Sequence, residues 1–182
     1  FSSDTYSLVT HPGSPFNVPA GVAVAPSGEV FVADGYANCR VHRFSVQGDL
    51  IKSWGEPGKA LGQFNLPHGV CIDRYGRVLV ADRENDRVQF FTQEGEILYA
   101  WPTELIGPAV IHIDRDDIVY VPEHNAGLFS ILTLEGERLA QWGSEVNRSC
   151  HGVWVDSRGD IYLVQPVKFG EVRRVVKYHR RG

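Results

Sequence analysis

The chain has 182 residues, 43% of them hydrophobic and 22% charged, a composition that excludes wholesale disorder and allows a substantial core. No apolar stretch approaches the roughly 20 residues of a membrane helix, and a formal net charge of −4 gives no case for nucleic acid or an anionic membrane as partner. Gly (19) and Pro (10) point to many turns and short elements, while the absence of Met, even at position 1, suits an excised or processed piece of a longer product.

A short strand is expected at residues 6–9, inside a leading segment (1–15) that supplies the outer strand of a preceding or closing unit. The motif Phe16-Asn17-Val18-Pro19-Ala20-Gly21-Val22 then returns as Phe64-Asn65-Leu66-Pro67-His68-Gly69-Val70. At a constant interval after Pro19, Pro67, Pro108 and Cys150 come Asp34, Asp82, Glu123 and Gln165. The first three units end in Trp54, Trp101 and Trp142, each preceded by a turn glycine, Gly48, Gly95 or Gly136. These marks delimit repeats at about 16–55, 64–101, 105–143 and 148–182 within a single domain.

Inside a repeat the apolar period is two. Val30-Phe31-Val32, Val78-Leu79-Val80 and Ile161-Tyr162-Leu163 are short strands set between turns such as Pro26-Ser27-Gly28 and Arg74-Tyr75-Gly76. Each repeat therefore reads as a four-stranded antiparallel meander, and a series of such meanders is an all-β propeller. The last repeat supplies three strands and ends near Tyr178. The four units form either an arc of a larger ring or, closed by the 6–9 strand, a four-bladed ring. An arc would leave apolar blade faces at its open edges, which favours self-association.

Pro-x-Gly-Val, Val-Ala-Asp and Asn-x-Arg-Val together resemble the NHL-repeat family of propellers. Two segments are more specific: Asp34-Gly35-Tyr36-Ala37-Asn38-Cys39-Arg40-Val41, and Pro67-His68-Gly69 followed by Ala81-Asp82-Arg83-Glu84-Asn85-Asp86-Arg87-Val88-Gln89. With His151-Gly152 in the last repeat, they are similar to peptidyl-α-hydroxyglycine α-amidating lyases. The resemblance implies a six-bladed ring, a secreted or periplasmic setting, and a zinc-dependent cleavage of a peptidyl-α-hydroxyglycine into a peptide amide and glyoxylate. It implies zinc on His68 and His151, a catalytic tyrosine at Tyr36, and a substrate-binding arginine at Arg83. The family's third zinc histidine and second arginine have no counterpart here. Its disulfide positions fall at or beside Ala37, Val80 and Phe90, and its calcium loses an acidic ligand to Gly152.

The residues support that site on their own terms. His68 and His151 hold the same place in their repeats, at the entrance of the strand that lines a propeller axis, so the fold brings them toward one point. Imidazoles meeting in a narrow channel suit zinc, the alternative being two channel histidines hydrogen-bonded to water. The position equivalent to His68 in the third repeat is Ala109, and Cys150 is the first candidate to replace a missing ligand, although strand alternation should point its side chain away from that of His151. With two named ligands the chain 1–182 is expected to turn over such a substrate weakly or not at all.

Elsewhere the bland reading is preferred. Asp34 with Arg40 and Asp82 with Arg87 read as inter-strand pairs. Arg158-Gly159-Asp160 occupies a hairpin turn equivalent to Ser27-Gly28-Glu29. His112 is sent to the opposite face by strand alternation, and His11, His42, His124 and His179 have no comparable partners. The tail residues Lys168, Arg173, Arg174, Lys177, Arg180 and Arg181 lack interleaved stacking aromatics and read as a solvated strand. The cysteines Cys39, Cys71 and Cys150 form no disulfide framework. The reading from another class is a non-catalytic propeller binding a peptide, glycan or protein, or a small molecule, at its loop-bearing rim.

Overall fold

The computed structural model describes residues 15–143, 150–165 and 174–180. The strand expected at 6–9 lies outside the described residues. The first blade comprises β1 (Gly21–Val24), β2 (Val30–Asp34), β3 (Arg40–Phe44) and β4 (Leu50–Trp54). The second comprises β5 (Pro67–Ile72), β6 (Val78–Asp82), β7 (Arg87–Phe91) and β8 (Ile97–Ala100). In the third, β9 (His112–Ile113) is followed by β10 (Val119–Glu123), β11 (Leu128–Leu132) and β12 (Arg138–Gly143). The last has β13 (Gly152–Val155), β14 (Ile161–Gln165) and β15 (Arg174–Tyr178). Strands pair antiparallel with their sequence neighbours throughout, so every blade is a meander. The fold is an all-β propeller. Among the described residues, no helix is long and apolar enough to cross a membrane.

Strand β6 shows why the period of two produces this architecture. Val78 and Val80 enter the core shared with the first blade, whereas Leu79 and Ala81 enter the core shared with the third. All four are fully buried. A central blade thus has an apolar core on each face, and each fully buried Val or Leu contributes about 1.5–3 kcal/mol. Among the described residues, each terminal blade exposes apolar side chains on one face: Val22 and Val24 are 65% exposed, and Trp154 is 64% exposed beside Val164 and Val175.

The recurring Trp and Gly are two halves of one contact between blades. Trp54 closes the first blade and packs on Phe91 of the second, ring centres 6.1 Å apart. Trp101 donates its Nε1–H to the Leu134 carbonyl of the third blade, and Trp142 meets Tyr178 of the last. Gly95 and Gly136 lie in the next blade's outer turn, where a Cβ would come within 2.6 Å of Trp54 and 2.7 Å of Trp101 respectively. Gly48, at a similar φ of +91°, has nothing within 4 Å. Gly48→Ala should therefore cost about 1–2 kcal/mol of backbone strain alone, and Gly95→Ala about 1–3 kcal/mol more from overpacking. Urea denaturation of the two variants checks this, and equal losses would contradict the interlock.

The acid that ends the second strand of each of the first three blades is a buried hub. Asp34, Asp82 and Glu123 accept the backbone N–H of Asn17 (2.7 Å), Asn65 (2.7 Å) and Ile106 (2.8 Å), fixing the loop that enters the inner strand. Arg87 pairs with Asp82 at 2.8 Å, as expected. The expected pair of Asp34 with Arg40 is not what the first hub uses: Arg40 is exposed, and Asp34 accepts from Asn38 and from His42 Nε2. His42, expected to lack a comparable partner, also lies 2.7 Å from Ser53 Oγ through Nδ1. This Ser–His–Asp chain is structural, because Gln89 on Asp82 and Ser130 with Gln141 on Glu123 do the same work in the next two blades.

Candidate functional site

The site forms where the loops after the second strands meet the entrances of the inner strands. Tyr36 follows Asp34-Gly35 at the end of β2. Any side chain at position 35 would collide with the Pro67 backbone, so only glycine lets this loop lie against the next blade. The loop is held by the Tyr36 N–H on the carbonyl of Val18, itself in the left-handed region at φ +63°. The second blade repeats the arrangement: Arg83 N–H bonds the carbonyl of Leu66, at φ +65°. Strained backbone thus recurs at two equivalent positions beside the site.

His68 occupies a bulge. Pro67 pairs with Asp82 and Gly69 with Ala81, so His68 has no residue opposite it and its side chain is re-aimed. Its Nδ1 lies 2.8 Å from the carbonyl oxygen of Ala109, the equivalent position in the third blade. A carbonyl only accepts, so Nδ1 carries the proton and Nε2 keeps its lone pair. The Tyr36 hydroxyl donates to that Nε2 at 2.9 Å. Burial, reinforced by the nearby Arg83 cation, lowers the His68 pKa to about 3. The ring is therefore neutral across the physiological range.

The remaining expected residues gather around this pair. The His151 ring centre is 5.3 Å from that of His68. Arg83 opens a short 3-10 turn, Arg83–Asn85, with its side chain 7% exposed and Nε donating to Glu84 Oε1 at 2.9 Å. Its guanidinium carbon lies 5.9 Å from the Tyr36 ring centre. Tyr36, His68, Arg83 and His151 thus come together, from three blades.

One expectation about a neighbouring residue needs correction. His124, expected to have no comparable partner, packs edge-on against His151 with ring centres 4.3 Å apart. A signal was available: His124 directly follows Glu123, as Arg83 follows Asp82 and Gly35 follows Asp34. Cys150, the expected substitute ligand, is buried and donates its thiol to the Gly152 carbonyl at 3.2 Å. Burial raises its pKa to about 11. His112 lies elsewhere, its ring 4.7 Å from that of Trp154. Cys39, Cys71 and Cys150 are all free thiols.

Zinc can be tested against this donor set. Two imidazoles on one tetrahedral ion, each at about 2.0–2.1 Å, have ring centres about 5 Å apart, and His68 and His151 meet that spacing. The fixed Nδ1–H of His68, held by a backbone carbonyl, is the outer-shell contact that typically orients a metal-binding histidine. Among the described residues no three His, Cys, Asp or Glu side chains already surround one point. The phenol of Tyr36 occupies the lone pair that an ion would use. The residues present fit zinc in donor type and in one ligand pair.

Comparison with known proteins agrees with the repeats. The NHL repeat profile matches residues 16–44 and 64–91. Over 89 residues the chain is 45% identical to peptidyl-glycine alpha-amidating monooxygenase of Mus musculus, a stretch covering 44% of this chain and 9% of that protein. Over 105 residues it is 36% identical to peptidyl-alpha-hydroxyglycine alpha-amidating lyase 1 of Drosophila melanogaster, covering 52% of this chain and 19% of the relative. The aligned stretches are thus a small part of each relative's length. Hydrazine synthase of Kuenenia stuttgartiensis superposes with a TM-score of 0.71 at 14% identity, over 94% of this chain and 49% of that one, a likeness of fold alone.

Proposed function

Since the chain is an NHL-repeat β-propeller with amidating lyases among its relatives, we propose that its loop-bearing rim is the zinc and substrate site of a peptidyl-α-hydroxyglycine lyase. The observation that carries the reading is the Tyr36 hydroxyl held on the proton-free nitrogen of His68, with His151 adjacent. In the reaction the substrate hydroxyl loses its proton as the carbonyl of glyoxylate forms. The carbon–nitrogen bond breaks, and the amide nitrogen gains a proton. Tyr36, once it has lost its own proton to solvent and stands as the phenolate, would take the hydroxyl proton and pass it to the departing amide nitrogen. Arg83, a nearly buried cation next to Tyr36, is suited to a bidentate grip on the substrate carboxylate. His68 and His151 would hold zinc, which when bound supplies Lewis-acid stabilisation of the substrate oxygen. His68 is neutral, so its Nε2 lone pair, on which the Tyr36 hydroxyl sits, would serve zinc once that hydroxyl moves off it.

The test is metal content together with glyoxylate release from a peptidyl-α-hydroxyglycine. We expect one equivalent of zinc, lost in His68→Ala. Tyr36→Phe should keep the zinc and lower glyoxylate release about a hundredfold or more, the usual weight of a positioned general base. A chain that binds no zinc and releases no glyoxylate would overturn the reading. One that binds the peptide but never cleaves it would favour a non-catalytic propeller.

A further inference from the structure

We infer that Glu84 is a positioning residue for Arg83: it holds Nε, so that the guanidinium can grip a substrate carboxylate only through its Nη1–Nη2 edge. The assignment rests on the carboxylate-binding role given to Arg83 above. A guanidinium has two kinds of edge that can meet a carboxylate with paired hydrogen bonds, one formed by Nε with an Nη and the other by the two Nη groups. Glu84 Oε1 accepts from Nε at 2.9 Å, which closes the first. Among the described residues no acceptor meets Nη1 or Nη2, so the second stays open.

The pair stands on a turn that is fixed along its whole length. Arg83 N–H bonds the Leu66 carbonyl at 3.1 Å and Glu84 N–H the Asn65 carbonyl at 3.0 Å, which ties the turn to the loop entering its own blade. The Asn85 amide donates to Asp82 Oδ2 and to the Gly58 carbonyl, each at 2.8 Å. Asp86, at φ +55°, accepts the Gly107 N–H of the third blade at 2.7 Å. Rigid support of this kind is what a binding group needs to keep its geometry. The neighbouring acids are committed elsewhere, Asp82 to Arg87 and Gln89, and Asp86 to Gly107. Among the described residues Glu84 is thus the counter-charge of a cation whose side chain is 7% exposed. Without that partner the uncompensated charge is costly at this depth, and the long side chain would swing toward water.

The experiment uses the intact chain and two acetylated tripeptides, one ending in glycine with a free carboxylate and the other in the glycine amide. Neither carries the hydroxyl that cleavage requires, so binding is read apart from turnover. By calorimetry the wild type should bind the carboxylate peptide about tenfold or more tightly than the amide, the weight of hydrogen bonds to a charged group. Glu84→Ala should erase that preference, and Glu84→Gln, whose amide oxygen still accepts from Nε, should keep most of it. In nitrogen NMR of the wild type, the carboxylate peptide should shift Nη1 and Nη2 of Arg83 and leave its Nε–H signal in place. If the wild type prefers the carboxylate but the Nε–H signal moves instead, or if Glu84→Ala keeps the preference, the positioning role is overturned and Arg83 stands as the carboxylate site. If the wild type shows no preference, the role of Arg83 fails and this one with it. The wild-type NMR arm decides the question even if Glu84→Ala fails to fold.

Discussion

Trp101→Ala is expected to lower the unfolding free energy by about 3–5 kcal/mol, the range for truncating a buried Trp. The ring is 4% exposed and packs on Phe90 with centres 5.4 Å apart. It lies in the core shared by the second and third blades, together with Leu105, Val119 and Leu134. Its Nε1–H bonds the Leu134 carbonyl, and its face covers Gly136 of the next blade. Truncation would open a cavity at the joint between blades and leave that carbonyl without its donor. The built-in control is Trp154→Ala, because Trp154 is 64% exposed and should change stability by no more than about 0.5 kcal/mol. Urea unfolding of both variants reads the difference. A loss below about 1 kcal/mol for Trp101→Ala would show that the joints between blades do not carry the stability assigned to them.

Asp82→Ala is expected to cost a comparable amount, about 3–5 kcal/mol, by a different mechanism. The carboxylate is fully buried and accepts from Asn65 N–H, the Asn85 amide, Arg87 Nε and the Gln89 amide. Removing it leaves four donors facing an apolar side chain, and strands the Arg87 cation against the surrounding carbonyls. Asp82→Asn keeps the shape and one acceptor oxygen, so it should lose markedly less. The loss should also reach the site, since Arg83 follows directly and its turn is fixed by Asn85 on Asp82. A variant that retains wild-type stability would show the hub to be dispensable, and the repeat of an acid at this place would need another cause.

The candidate site was partly legible for a reason particular to repeats. His68 and His151 stand at equivalent strand entrances, and equivalence in a propeller implies convergence on the axis whatever the separation along the chain. Tyr36 and Arg83 belong to loops that leave equivalent strand ends, so a shared rim followed as well. His124 escaped because it has no histidine counterpart in another repeat, and its meeting with His151 depends on where two loops of different blades turn. His42 escaped similarly: its partners Asp34 and Ser53 lie on the flanking strands β2 and β4, and only the strand register brings the three into line.

What the amino-acid sequence determined by itself is whatever depends on local periodicity. Alternating apolar residues, turn glycines, and the recurring Trp and acid specify antiparallel meanders, because a strand has only two faces and each blade needs both. Tertiary structure alone decided how side chains from different blades meet. It set the proton of His68 on Nδ1 through the Ala109 carbonyl, and brought the ring centre of His124 to within 4.3 Å of that of His151. These outcomes depend on blade twist, on the bulge at His68 and on a close approach that only Gly35 permits. Each is a property of two segments at once, and pairwise geometry of that kind is absent from the periodicity of either segment alone.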